Sequence, residues 1–189
     1  MTKEEFIQRF HMLNLPPSAH KFRYQDKLKN AAVLIAIVNN NNRLEVLLTK
    51  RASHLTHHAG QISFPGGKVE PDDHDITATA LRETQEEIGL APAFIEVLGQ
   101  LKPYQTISGY EITPIVALVS NNEHYQIDEN EVAEVFQVPL NHFLQRQDHV
   151  QIPVFHRGKQ HKVHFMPYQQ YNIWGATAAM LHDLSVLLN

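Results

Sequence analysis

At 189 residues, with 43% hydrophobic side chains, the chain has the length of one domain with short terminal additions at most, and enough apolar surface for a proper core. A net charge of −4 argues against a nucleic acid held by bulk electrostatics, and the absence of cysteine excludes disulfides and thiolate metal sites. No apolar run approaches a membrane span and residues 1–10 are too charged for a secretory leader, so the expectation is a cytoplasmic protein with neither membrane nor nucleic acid as partner.

Residues 3–12 have the pattern of a short amphipathic helix, stopped at Pro16-Pro17, and residues 1–29 are expected to form a helical extension packed on a domain running from 30 to 189. The apolar, β-branched run 31–38 reads as a buried strand, and 44–50 returns after a loop of four asparagines and Arg43. Residues 53–60 are polar and histidine-rich, hence loop, and 61–64 form a short strand ending at Pro65-Gly66-Gly67. A helix follows over 75–88 with Gly89 as its C-cap. Strands are expected at 95–101, 110–119 and 132–138, then a short helix at 139–145. Phe155 and residues 163–165 flank a hairpin tip at Arg157-Gly158, and 174–188 is a closing helix. Strands interspersed with two main helices indicate an α+β fold, an α/β/α sandwich around a central mixed β-sheet.

The helix at 75–88 carries the strongest functional signal. Glu83, Glu86 and Glu87 stand at i, i+3 and i+4, within an arc of roughly 100°. Like charges at i, i+4 weaken a helix, and its last turns disfavour anions. Thr77, Leu81, Thr84 and Ile88 make a stripe suited to packing on a sheet, with the glutamates on roughly the other side. A solvated acidic face is the plain explanation. A divalent cation is the other, because hard ions take carboxylate oxygens and reverse the repulsion. Gly66 and Gly67, in a turn after a strand, let the backbone approach an ion or phosphate and favour the second. Together they point to a metal site that handles a phosphate anhydride.

These residues resemble the Nudix box, in which a glycine, five residues, a glutamate and seven residues precede Arg-Glu-hydrophobic-any-Glu-Glu-any-Gly-hydrophobic. Gly67 opens the match, and Arg82-Glu83, Glu86-Glu87, Gly89 and Leu90 close it. Asp73 stands at the first acidic position, separated from Arg82 by eight residues, and Thr84 occupies the hydrophobic one. The segment Leu47-Leu48-Thr49-Lys50-Arg51-Ala52, Gly60, Phe64-Pro65-Gly66-Gly67 is similar to the signature of coenzyme A pyrophosphatases within that superfamily, with Thr56 where the signature has an arginine. Ile112-Thr113-Pro114, residues 128–140 and Trp174-Gly175-Ala176-Thr177 also look like that subfamily.

The resemblance implies a Nudix-type fold and hydrolysis of a pyrophosphate linkage in a small nucleotide-derived substrate, with Mg²⁺ or Mn²⁺. It makes Glu83 and Glu87 the metal ligands, with Glu86 in the same cluster and the Gly67 carbonyl completing one site. It makes Arg82 a positioning residue beside the catalytic glutamates; an i, i+4 surface pair with Glu86 is the plainer reading. Glu86 and Glu131 are both candidates for the general base. Lys50 and Arg51 are candidates for the substrate phosphates, along with the backbone of Gly66 and Gly67. For coenzyme A the products are 3′,5′-ADP and 4′-phosphopantetheine. Hydrolysis of ADP-ribose, another nucleoside diphosphate derivative or a nucleoside triphosphate is the nearest alternative, and a non-catalytic ligand-binding module the more distant one. His54, His57 and His58 lack the partners of a zinc site and could face phosphates. His156, His161 and His164 read as hairpin surface residues. Trp174 suits core or dimer packing, which leaves a homodimer open.

Overall fold

One strand builds both halves of the core. The computed structural model describes residues 1–12, 28–120, 125–145, 147, 149–156 and 159–189. In strand β1 (Lys29–Asn40), Ala32, Leu34, Ala36 and Val38 enter one buried cluster, and Ile35 and Ile37 the other. Successive side chains on a strand point to opposite faces, so a run apolar at every position must be covered twice. Asn41 and Asn42, both with positive φ, turn the chain into β2 (Arg43–Arg51), which pairs antiparallel with β1.

Beyond β2 the order is β3 (Ile62–Ser63), β4 (Gly66–Lys68), a helix at Ile76–Ile88, a 3-10 turn at Pro92–Phe94, β5 (Ile95–Gln100), β6 (Tyr104–Gln105), β7 (Tyr110–Val119) and β8 (Val132–Pro139). In the main sheet, β3-β2-β1-β7-β5 form the path, with β4 also pairing β1, β6 pairing β7 and β8 pairing β2. Among the described residues only β1 and β7 run parallel, so the sheet is mixed, as expected.

Three helices cover one face: α1 (Lys3–Met12), α3 (Leu140–Leu144) and α4 (Gly175–Leu188), through Phe6, Phe143, Leu181 and Leu184. The helix at Ile76–Ile88, α2, covers the other through Ala80 and Ile88. The fold is the α/β/α sandwich read from the sequence. In α1, Phe6 and Phe10 belong to the same buried cluster as α4, and Arg9 donates to the Leu188 carbonyl. The helix stop expected at Pro16-Pro17 lies outside the described residues, as does the hairpin tip at Arg157-Gly158.

Strands β9 (Val150–His156) and β10 (Lys159–Phe165) form a separate antiparallel pair, with β10 against α4. Strand alternation turns His164 toward α4, where it is buried with its ring 4.9 Å from that of His182. It is therefore a buried residue, not the surface histidine expected. Trp174, 40% exposed and stacked on Phe165, lies at the surface rather than in the core. Among the described residues no helix is long and apolar enough to cross a membrane.

Candidate active site

Helix α2 is delimited by its own residues. The Asp75 side chain accepts from the Ala78 N–H at 2.7 Å, and Gly89 takes the left-handed conformation that ends the helix, its N–H reaching the Gln85 carbonyl. The three glutamates are not equivalent on this frame. Their side chains are 59% exposed at Glu86, 16% at Glu83 and 4% at Glu87. The expected division into an apolar face and an acidic face is thus corrected. Glu87 lies only about 20° around the helix from buried Ala80, so it enters the edge of the core. Thr84, at the position where the motif has a hydrophobic residue, is wholly buried and donates its hydroxyl to the Ala80 carbonyl. That bond lets a polar side chain stand in the core.

Gly66 and Gly67 do not form the expected turn. They lie in β4 and pair with Val33 and Ala32 of β1. Glycine is required there by close approach. A Cβ on Gly66 would stand 2.3 Å from the Ala32 carbonyl oxygen, and one on Gly67 2.4 Å from the Glu83 carboxylate. The second contact places the β4 backbone directly against a carboxylate of α2.

Arg82 organises the exposed side of the cluster. Its Nε and Nη2 grip the two oxygens of Asp73 at 2.9 and 3.1 Å, and Nη2 also reaches the Lys68 carbonyl at 3.0 Å. Nη1 donates to Glu83 at 3.1 Å and Glu86 at 2.8 Å. The surface pair with Glu86 exists, but as one arm of a larger network. Asp73 is 4% exposed and also accepts from the Glu70 N–H and the Thr79 hydroxyl, both at 2.8 Å. The Arg82 hydrogen bonds hold its carboxyl far below the usual carboxylate range, and those of Glu70 and Thr79 reinforce them against the opposing effect of burial.

On the buried side, Arg51 comes within 3.9 Å of Glu87. Burial pushes the Glu87 carboxyl up to about 8, against the pull of Arg51, and the negative charges of Glu131 and Glu83 push the same way. Burial raises Glu83 as well, opposed by Arg82. The Glu87 Oε2 atom is buried with no hydrogen-bond partner. An orphaned carboxylate oxygen beside a second carboxylate and a glycine backbone is a donor set suited to a hard divalent cation. Among the described residues no three His, Asp or Glu side chains converge closely enough to hold an ion as they stand. Arg82 lies between Glu83 and Glu86, so backbone oxygen and water would complete the coordination.

Glu131 reaches this cluster from a distant stretch of chain. The Gln126 and Asp128 N–H groups donate to the Ile88 and Glu87 carbonyls, satisfying the open end of α2. The Glu131 carbonyl accepts from Ala52 at 2.8 Å, and the His54 ring bonds the Asn130 carbonyl at 3.1 Å. The loop is thereby sewn to both α2 and the end of β2.

Comparison with known proteins gives the family. The chain matches the NUDIX domain family over residues 28–178. The chain is a Nudix hydrolase. Proteins named NudL, described as uncharacterized Nudix hydrolases, are similar over nearly their whole length. The one from Photorhabdus laumondii is 42% identical, covering 96% of this chain and 95% of its own, and the one from Citrobacter koseri 37%, covering 98% and 94%. A NUDIX hydrolase from Alicyclobacillus acidocaldarius shares the fold at a TM-score of 0.54 and 18% identity, covering 88% of this chain and 95% of that one. A MutT/nudix family protein from Enterococcus faecalis does so at 0.53 and 15%, covering 98% and 73%.

As a Nudix hydrolase the protein is a pyrophosphohydrolase of small nucleotide-derived substrates, in a family that generally uses divalent metals such as Mg²⁺ or Mn²⁺. The structure gathers Arg51, Gly66, Gly67, Arg82, Glu83, Glu86, Glu87 and Glu131 around one end of α2. Lys50 is not among them. The pleat of β2 turns it to the opposite face, with Leu48 and next to Glu134 of β8. Thr56, His57 and His58 are exposed in the loop after β2, with the His58 ring bonded to Gln61 at 2.8 Å. Sequence reasoning missed the Asp73–Arg82 bond. Spacing from Gly67 picks Asp73 as the acidic residue of the motif, but it does not say that its carboxylate meets the guanidinium.

Proposed function

We propose that this Nudix hydrolase cleaves the pyrophosphate linkage of coenzyme A or its thioester derivatives, giving 3′,5′-ADP and (acyl-)4′-phosphopantetheine, with Mg²⁺ or Mn²⁺. The observation that carries the hydrolytic site is the buried, unpartnered Oε2 of Glu87 beside Glu83 and the side-chain-free backbone of Gly67. Glu87, Glu83 and the Gly67 carbonyl would hold the metal, with Glu86 at the rim. The metal, when bound, neutralises charge building on the phosphoryl oxygens and polarises the attacking water.

The protein's own groups do the rest. Arg82 holds Glu83 and Glu86 in place through Nη1. Arg51, beside Glu87 and a quarter exposed, meets a substrate phosphate. Glu86 is committed to Arg82 at 2.8 Å, whereas Glu131 is exposed and close enough to Glu83 and Glu87 to raise both. Glu131 is therefore the better general base, taking a proton from water as it attacks phosphorus. Choice of coenzyme A rests on the segment from Leu47 to Gly67 and its likeness to the coenzyme A pyrophosphatase signature. Thr56, exposed where that signature has a cation, favours a second reading, hydrolysis of ADP-ribose or another nucleoside diphosphate derivative.

A substrate panel decides between them. Coenzyme A, acetyl-coenzyme A, ADP-ribose and deoxynucleoside triphosphates are each turned over with Mg²⁺ and with Mn²⁺, with products identified in ¹⁸O-water. The expected result is release of 3′,5′-ADP from coenzyme A at the highest kcat/KM of the panel. Turnover of another substrate with coenzyme A untouched overturns the assignment.

A further inference from the structure

The ribbon of β9 and β10 carries its apolar side outward. Directly opposed residues of an antiparallel pair share a face. His164 of β10 is buried against α4 and stands opposite Gln151, so the side toward α4 carries Gln151, Gln160, Lys162 and His164 beside Pro153 and Phe155. The other side carries Val150, Ile152 and Val154 from β9 and His161, Val163 and Phe165 from β10. Trp174 joins that side, because it bridges to Phe165 and its ring stacks on that of Phe165 at 6.1 Å. A sheet with one face solvated is normally apolar inward and polar outward, and here the pattern is reversed.

Among the described residues, none of the outward seven belongs to either buried cluster. Val150 is 50% exposed and Ile152 44%. Single exposed apolar side chains are ordinary, but a contiguous apolar face marks a contact surface. Two features select its occupant. Pro153, in the middle of β9, has no N–H, so that edge of the ribbon is a poor template for a further strand, and whatever docks must lie on the face. The face also holds no Asp, Glu, Lys or Arg, so nothing on it repels an identical face. A two-fold contact between copies requires that self-complementarity. Its centre is the opposed pair Ile152 and Val163, where the two-fold axis would run. Two strands of seven residues make a face about 24 Å by 10 Å, lengthened by Trp174. That is well under the roughly 800 Å² per partner of a standard interface, which suits a reversible dimer and not an obligate one.

We infer that the chain forms a weak two-fold homodimer in which the outer faces of two β9–β10 ribbons stack on each other. Each ribbon gives the other the apolar cover that its own domain does not supply. The two layers pack about 10 Å apart, as sheets do face to face. Trp174 and Phe165 supply the largest side chains of the contact and anchor it.

The test is sedimentation velocity of the full chain across a concentration series, with tryptophan emission read on the same samples. Trp174 is the single tryptophan of the sequence, so its emission reports on this face directly. The expected result is a monomer–dimer equilibrium with a Kd on the order of 10 µM, the weak end for protein contacts. A blue shift of the Trp174 emission follows it with the same midpoint. Ile152→Lys, at an exposed position outside both clusters, is expected to raise the Kd at least about 10-fold with an unchanged circular dichroism spectrum. Trp174→Ala gives the same loss and carries the test if Ile152→Lys does not fold. Gln160→Lys, on the side toward α4, leaves the Kd as it is. A chain that stays monomeric with unshifted emission at every concentration overturns the inference and leaves the face to a different protein. A dimer with a wild-type Kd in both Ile152→Lys and Trp174→Ala overturns it as well.

Discussion

Helices α2 and α4 cover opposite faces of one sheet and are composed in opposite ways. Along α4 the buried positions run almost unbroken from Thr177 to Leu188, and nearly all are apolar. Along α2 five of 13 residues are buried, and three of those five, Thr79, Thr84 and Glu87, are polar or charged. Its last turns hold like charges, and its final turn has no basic residue, against both the i, i+4 rule and the helix dipole. Desolvation lifts Glu87 to about 8, well away from an ordinary glutamate. One helix is arranged for stability alone. The other tolerates several local penalties, and they coincide with the residues that face the β4 backbone and the Glu131 loop. Strained or under-satisfied groups concentrated on one element mark the element that does chemistry.

Substitution on each helix should separate these two roles. Glu87→Gln is expected to lower kcat about 10³-fold, the loss of several kcal/mol of transition-state charge stabilisation, while the chain stays folded by circular dichroism. Near-normal turnover would remove Glu87 from the site. Glu131→Gln should lower kcat about 10²-fold at unchanged metal affinity, and Glu86→Gln by less, because Glu86 answers to Arg82. The reverse order would make Glu86 the base. On α4 the outcome inverts: Leu184→Ala, at a wholly packed position, should cost about 3 kcal/mol of unfolding free energy in urea while kcat per folded molecule stays within error.

The smallest expected effect is a pH dependence. Between the ordinary glutamate value of 4.5 and about 8, the folded chain keeps a proton on Glu87 that the unfolded chain has released. Folding then binds protons, so metal-free stability falls as pH rises through that window. Glu87→Gln should flatten this slope. Saturating Mg²⁺ displaces the proton, so the metal-induced rise in Tm should grow from mildly acid to mildly alkaline pH. A wild-type slope that survives in Glu87→Gln would assign it to other groups.

Much of α2 was legible because its signals are local. Gly89 as C-cap and the arc of Glu83, Glu86 and Glu87 follow from residue type and helical spacing, while Asp75, expected as the first helical residue, is the N-cap instead. So does β1, whose unbroken apolar run needs cover on both faces. The glycine pair was recognised for its close approach, but its placement in β4 depends on a partner strand more than thirty residues earlier. The grip of Asp73 on Arg82 escaped spacing arguments because the spacing that puts Asp73 in the motif says nothing of which side chain its carboxylate meets. Lys50 and Arg51 look alike in the sequence. The pleat of β2 sends one to α2 and the other to the far face.

By itself, then, the sequence determined the main strands and helices, the membership of the acidic arc and the family, but not the short strands β4 and β6. These depend on properties that each residue carries into any environment: its propensity, its charge and its spacing from near neighbours. Only the tertiary structure decided which glutamate is buried, which aspartate faces the guanidinium and which distant glutamate reaches the cluster. Desolvation and contacts across long stretches of chain exist only once the sheet, α2 and the 125–131 loop close over one another. The chemistry of Glu87 is a property of that enclosure as much as of its side chain.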